Sequence, residues 1–173
     1  MAEAVFAVGG TQRIVDGDDG YGDAKSVVRM MERYVRWGIS GVVLEDQLLV
    51  NKQPGDSGAT AVASVEVMVN KIKLAVETSS GTDCQIIARC DAYAVEGLHS
   101  AMRRAELYLK AGAQGLFIPG LRSIEELVEV GNHFRGIHLM VAQFEGRPTW
   151  LPPAQLYEMG YRHITLPGLL IQR

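Results

Sequence analysis

A parallel α/β fold is what this sequence predicts, and three observations predict it. Short β-rich runs alternate with longer amphipathic stretches to the end of the 173 residues. The short runs are apolar throughout rather than at every second position, as in strands buried on both faces of a parallel sheet. Acidic residues gather where the first firm runs end, and in parallel α/β folds the reactive groups collect at those C-terminal strand ends.

Taken in order, Ala4–Val8 (AVFAV) is a weak strand candidate and Arg13–Asp16 (RIVD) the first firm one. A helix follows over Ala24–Trp37. Val27, Val28, Met31, Tyr34 and Val35 recur there at helical spacing before Gly38 stops it, and Asp23 reads as its cap. The next strand is Gly41–Asp46 (GVVLED). Ser64–Thr78 is a helix with Ser64 as N-cap and Val65, Met68, Val69, Ile72 and Ala75 on one stripe. Ile86–Ala92 (IIARCDA) is a strand, and Leu98–Lys110 a helix ending before Gly112. Gly115–Gly120 (GLFIPG) leads to a helix over Ile124–Phe134, which Ser123 and Glu126 open as a capping box. His138–Phe144 (HLMVAQF), a short helix over Pro153–Met159 closed by Gly160, and His163–Gly168 (HITLPG) complete the series.

No low-complexity stretch or charge run marks a linker, so residues 1–173 read as a single domain. A βαβα series implies right-handed crossovers, and the local pattern fits both an open doubly wound sheet and a (β/α)₈ barrel. No GxGxxG follows the first strand and no GK[ST] follows Gly9–Gly10, which argues against a nucleotide-phosphate site.

Bulk properties narrow the function. Hydrophobic residues make up 47% and charged residues 21%, ordinary for a globular protein. Seventeen Lys and Arg against 20 Asp and Glu leave a formal charge of −3, with no general attraction to nucleic acid or an anionic membrane. No apolar run is long enough to span a bilayer, and the opening MAEAVFAVGG lacks the basic start of a secretory signal. Cys84 and Cys90 do not make a disulfide framework, and His99, His133, His138 and His163 show no zinc spacing. A cytoplasmic setting is the expectation. Arg103 and Arg104 read as a solvated helix face, and Cys90, alternating in direction with Arg89 and Asp91, as a packing residue.

The chemistry concentrates at three strand ends. RIVD ends in Asp16 and runs on through Gly17, Asp18 and Asp19; GVVLED ends in Glu45-Asp46; IIARCDA carries Arg89 and Asp91. Any one acid here serves equally well as a helix cap. Three neighbouring strand ends together suit a hard cation such as Mg²⁺, which binds through one or two carboxylates plus waters and substrate oxygens.

These residues also form motifs. Val15-Asp16-Gly17-Asp18-Asp19-Gly20-Tyr21-Gly22, Leu44-Glu45-Asp46-Gln47 and Ile87-Ala88-Arg89-Cys90-Asp91-Ala92 resemble, in order and spacing, the VDxDxGYG, EDQ and IARTDA motifs of the isocitrate lyase/phosphoenolpyruvate mutase superfamily. The likeness runs from about Arg13 onward. It implies a (β/α)₈ TIM-type barrel, here with six to seven strands and so apparently incomplete, because it starts at the family's third strand. A fragment, flanking segments elsewhere and completion by another subunit all fit that count. The resemblance further implies Mg²⁺ or Mn²⁺ held by Asp16 with Asp18 and Glu45, a substrate carboxylate paired with Arg89, and homo-oligomers.

Several positions depart from the pattern. The family's lyases carry a mobile KxCGH loop after EDQ; here Asn51–Gly58 keeps Lys52 but has Pro54 for the cysteine and Asp56 for the histidine. Lys52 and Asp56 are then the loop's remaining proton donors. Ile118-Pro119-Gly120 replaces a sixth-strand glutamate, while Glu145-Gly146 with Pro148-Thr149 resembles an ExG-x-TP element, making Glu145 a substrate-binding candidate beside Asp18 and Arg89. Such losses are similar to the oxaloacetate decarboxylase branch. The expectation is a Mg²⁺-dependent carbon–carbon bond cleavage, decarboxylase-like or lyase, on a small 2-oxo or 2-hydroxy di- or tricarboxylate through an enolate. The alternatives are a catalytically silent carboxylate binder and a phosphonate mutase or hydrolase.

Overall fold

The computed structural model describes residues 12–49 and 58–167. The strand expected at Ala4–Val8, the loop residues Lys52 and Asp56, and Gly168 lie outside the described residues.

The chain forms β1 (Ile14–Asp16), α1 (Ala24–Arg36), β2 (Gly41–Glu45), α2 (Val65–Thr78), β3 (Gln85–Arg89), α3 (Ala92–Glu96) and α4 (Leu98–Lys110). It continues through β4 (Gly115–Phe117), α5 (Ile124–His133), β5 (His138–Ala142), α6 (Pro153–Met159) and β6 (His163–Thr165). All six strands are parallel and stand in the sheet in chain order. A doubly wound sheet reverses its order at a switch point; this one never reverses, and it curls into a half-barrel. The helices open where the sequence places caps. Asp23 accepts from the Ser26 N–H at 3.0 Å, Ser64 from Val67 at 3.4 Å and Ser123 from Glu126 at 3.2 Å.

The two faces of the sheet differ. On the outer face Val42, Leu44, Ile86, Ala88, Leu116, Leu139 and Val141 bury themselves against Met31, Met68, Ile72, Tyr108, Leu127 and Leu156 of the helices. Each large apolar side chain so buried stabilises the fold by about 1.5–3 kcal/mol. The concave face carries a thinner layer of Val43, Ile87, Phe117 and Met140. Strand residues two apart share a face, so Glu45 and Arg89 lie above Val43 and Ile87 on the concave side. In-register pairing puts Asp16, partner of Val43, on that side too.

Most strands end earlier than the apolar runs do. β3 stops at Arg89, and the Cys90-Asp91-Ala92 expected to prolong it turns into the short helix α3. β4 and β5 stop at Phe117 and Ala142, short of the Gly120 and Phe144 expected. At the far end, α5 and the turn after α6 touch backbone to backbone. A Cβ on Gly131 would meet the carbonyl of Met159, and Gly160, at φ +111°, closes α6.

Candidate active site

The turn after β1 is laced to its neighbours by backbone groups. The Gly17 N–H donates to Val43 O at 2.8 Å, and the Glu45 N–H to Asp18 O at 2.9 Å. Within the turn, Asp16 Oδ1 accepts from the Asp18 N–H at 3.0 Å and Asp19 Oδ1 from the Tyr21 N–H at 2.9 Å. These side-chain bonds hold Asp18 (φ 45°) and Tyr21 (φ 60°) in the left-handed region, which few residues other than glycine enter. From α2, Lys71 Nζ donates to Asp19 O at 2.6 Å and stands 3.6 Å from its carboxylate. Nothing in the helical pattern of α2 sets Lys71 apart, and sequence reasoning missed it.

Arg89 is gripped from two sides. Its Nη1 lies 2.9 Å from Glu45 Oε2 and its Nη2 2.8 Å from Asp91 Oδ1, with the Phe117 ring centroid 5.7 Å from Cζ. Glu45 is 2% exposed and Asp91 4%, so these are charges taken out of water. Burial alone would push the guanidinium down, but Asp91, Glu45 and Asp16 outweigh it and hold Arg89 above its usual value. Arg89 Nε and Asp91 Oδ2 are buried without a hydrogen-bond partner among the described residues. Buried polar atoms of this kind are rare in native folds.

Behind this pair sits Asp46, 1% exposed. Oδ1 accepts from the Asp91 N–H at 2.7 Å; Oδ2 accepts from Tyr108 Oη at 2.7 Å and from Cys90 Sγ at 3.4 Å. Desolvation raises the Asp46 pKa, opposed by the bonds from Tyr108 and the Asp91 N–H. Cys90 packs on the outer face as the alternation requires, and burial pushes its thiol pKa up. Arg104 is not solvated: its side chain is 11% exposed, bound to Glu96 and to Ala63 O, while Arg103 is exposed.

The fold therefore brings Asp16, Asp18, Glu45 and Arg89 to the C-terminal rim of three adjacent strands. Glu145 is exposed in the turn after β5. The donor set at the rim is hard oxygen throughout. Among the described residues no three His, Cys, Asp or Glu side chains close on one point as a metal cage. One exposed carboxylate, Asp16, with others nearby fits a cation that keeps most of its waters, as Mg²⁺ does. Beside the rim, Asp19, Glu45, Gln47, Met68 and Lys71 line a cavity of about 410 Å³. Among the described residues no helix is long and apolar enough to cross a membrane.

Comparison with known proteins agrees with this fold. The sequence model of phosphoenolpyruvate phosphomutase matches residues 1–173. The chain is 34% identical over 166 residues to 2,3-dimethylmalate lyase of Eubacterium barkeri, covering 96% of the chain and 57% of that protein. It is 36% identical over 154 residues to 2-methylisocitrate lyase of Aeropyrum pernix, covering 89% and 49%. A solved structure of oxaloacetate acetylhydrolase with the inhibitor 3,3-difluorooxalacetate superposes with a TM-score of 0.87 at 28% identity, covering 98% of this chain and 58% of that one. The chain thus spans about half the length of the curated relatives it matches.

Proposed function

We propose that this chain, which belongs to the phosphoenolpyruvate phosphomutase family, contributes the site of an enzyme that breaks a carbon–carbon bond in a small 2-oxo or 2-hydroxy carboxylate. The observation that carries the reading is Arg89. It is a concave-face guanidinium fixed by Glu45 and Asp91, with Nε buried and lacking a hydrogen-bond partner among the described residues. A planar donor so held suits a substrate carboxylate. Relatives named for dimethylmalate and methylisocitrate cleavage support the reaction class.

For a 2-oxo acid such as oxaloacetate, the bond to the departing carboxylate breaks, CO₂ leaves and the electron pair moves into the 2-carbonyl to give an enolate. For a 2-hydroxy acid the hydroxyl gives its proton to a base and becomes the new carbonyl, while the pair of the broken bond passes to the carboxylate-bearing fragment as an enolate. Arg89 orients the carboxylate and offsets the developing charge. Asp16 would hold Mg²⁺ or Mn²⁺, with Asp18 and Glu45 in support; when bound, the ion supplies positive charge to the substrate's carboxylate and oxo oxygens. The enolate carbon must then be protonated. Cys90 is buried on the outer face and is unsuited to that task. We assign it to Lys52 or Asp56, or to water, because Pro54 stands where the family's lyases have cysteine. Decarboxylation tolerates this best, since solvent can protonate the enolate after CO₂ has left.

The test is turnover of oxaloacetate, 2-methylisocitrate, isocitrate, 2,3-dimethylmalate and phosphonopyruvate by purified protein with Mg²⁺, beside Arg89→Lys. Cleavage of a carboxylate substrate with oxaloacetate fastest, reduced in the variant, is the expected result. Preference for phosphonopyruvate overturns the carbon–carbon reading. One observation favours a second reading, a carboxylate binder without turnover: Pro54 and Asp56 stand where the family's lyases carry the loop cysteine and histidine. Oxalate binding without turnover of any substrate would support it.

A further inference from the structure

Glu45 and Asp46 are consecutive, yet they act on the rim from opposite faces of the sheet. Glu45 meets the Arg89 guanidinium directly at 2.9 Å. Asp46 points outward, into the layer between sheet and helices, and reaches Arg89 by two indirect routes. Its backbone N–H donates to Arg89 O at 3.2 Å. Its Oδ1 accepts the Asp91 N–H at 2.7 Å, and the Asp91 carboxylate in turn holds Arg89 Nη2 at 2.8 Å. Asp46 thus ties down the residues on both sides of Cys90.

Asp46 is itself held. Tyr108, fully buried on α4, donates to Oδ2 at 2.7 Å. Arg104 Nη1 lies 3.8 Å from the same oxygen and is bound to Ala63 O at 2.8 Å, and the Ala63 N–H donates to Asp46 O at 2.8 Å. A carboxylate in this layer carries a desolvation cost that an apolar residue of similar size avoids. The fold retains it where it accepts the Asp91 N–H, beside the carboxylate that holds Arg89.

We propose that Asp46 is a positioning residue for Arg89 and that Tyr108 holds Asp46 in that role. The functional side of this inference rests on the carboxylate-binding reading above; the structural side does not. Asp46→Ala removes the acceptor, Tyr108→Phe removes one oxygen and keeps the ring, and Asp46→Asn keeps an acceptor for the Asp91 N–H.

Two readouts on the full chain test it. The first needs no ligand: hydrogen exchange of the Arg89 Nε–H by ¹⁵N NMR, its signal assigned by loss in Arg89→Lys. Exchange is expected to quicken roughly tenfold or more in Asp46→Ala, the size of one lost hydrogen bond to a charged group. It should quicken measurably in Tyr108→Phe and be largely restored in Asp46→Asn, with the amides of Ile86 and Leu116 unchanged. If Asp46→Ala fails to fold, Tyr108→Phe decides. Unaltered Arg89 exchange in Tyr108→Phe, or acceleration in step with the core amides, overturns the proposal. The second readout is the oxalate Kd with Mg²⁺ in a double-mutant cycle. Tyr108→Phe should weaken binding in the wild-type background and add nothing in Arg89→Lys; additive losses overturn the proposal. Wild-type protein that does not bind oxalate defeats the functional reading, and the exchange measurement still decides the positioning role.

Discussion

Glu45 and Arg89 are register partners, the last Cα pair of β2 and β3, and their side chains form an ion pair at 2.9 Å with Glu45 2% exposed. The pair therefore belongs to the sheet as much as to the rim. Arg89→Met leaves Glu45 and Asp91 buried without their cation. A loss of about 3–5 kcal/mol in unfolding free energy is expected by urea titration. Adding Glu45→Gln should restore part of it; a single variant as stable as wild type would show that the pair contributes nothing.

Metal binding should depend on Asp16. Calorimetry with Mg²⁺ and oxalate is expected to show binding that Asp16→Ala abolishes while the melting temperature moves little, because Asp16 is exposed and its carboxylate bonds the Asp18 N–H within its own turn. Unchanged binding in that variant moves the ion elsewhere.

Acid should weaken the fold through the concave face. His138 and His163 stack at 5.6 Å, with His138 Nδ1 bonded to Gln85 Oε1 at 2.9 Å. Desolvation lowers both pKa values, and His138 further lowers that of His163. A base whose folded pKa is lowered binds protons more readily when unfolded. Its stabilising contribution is complete above the unfolded value, about 6.5, and is lost as pH falls through that value toward the folded one. Urea midpoints should therefore drop between about pH 7.5 and 5.5, and less steeply in the double variant His138→Gln/His163→Gln. Parallel profiles would assign the drop to other groups.

The contact between α5 and the end of α6 is set by the absence of side chains. Gly131→Ala would drive a Cβ into the Met159 carbonyl. A loss of about 1–3 kcal/mol is expected from such overpacking, read as a lower thermal midpoint, whereas an alanine on the solvent face of the same helix at Asn132 should be nearly neutral.

How far the sequence is legible follows from the range of each determinant. The six strands, and the caps Asp23, Ser64 and Ser123, rest on contacts a few residues long, and they start within a residue of where the periodicities put them, although most of the strands end short. Asp16, Glu45 and Arg89 stand where expected as well, because a strand end is a local feature. The choice between doubly wound sheet and barrel is not local, since both demand the same βα alternation and differ only in strand order. Asp46 and Tyr108 are 62 residues apart, and Lys71 and Asp19 are 52 apart; no pattern within either helix announces such a partner. Arg104 misled for the same reason: its neighbours on α4 suggest solvent, while its partners come from the loop before α2 and from α3.

Chain-order pairing in the sheet has a consequence for how the molecule comes into being. Each described strand after β1 docks on the one made just before it, so none of these five pairings waits for a segment synthesised much later. Loop-closure entropy for each step is that of a single βα unit. Growth from the ribosome can thus be incremental, every new unit extending a surface that already exists, and Arg89 acquires its Glu45 partner as soon as β3 emerges.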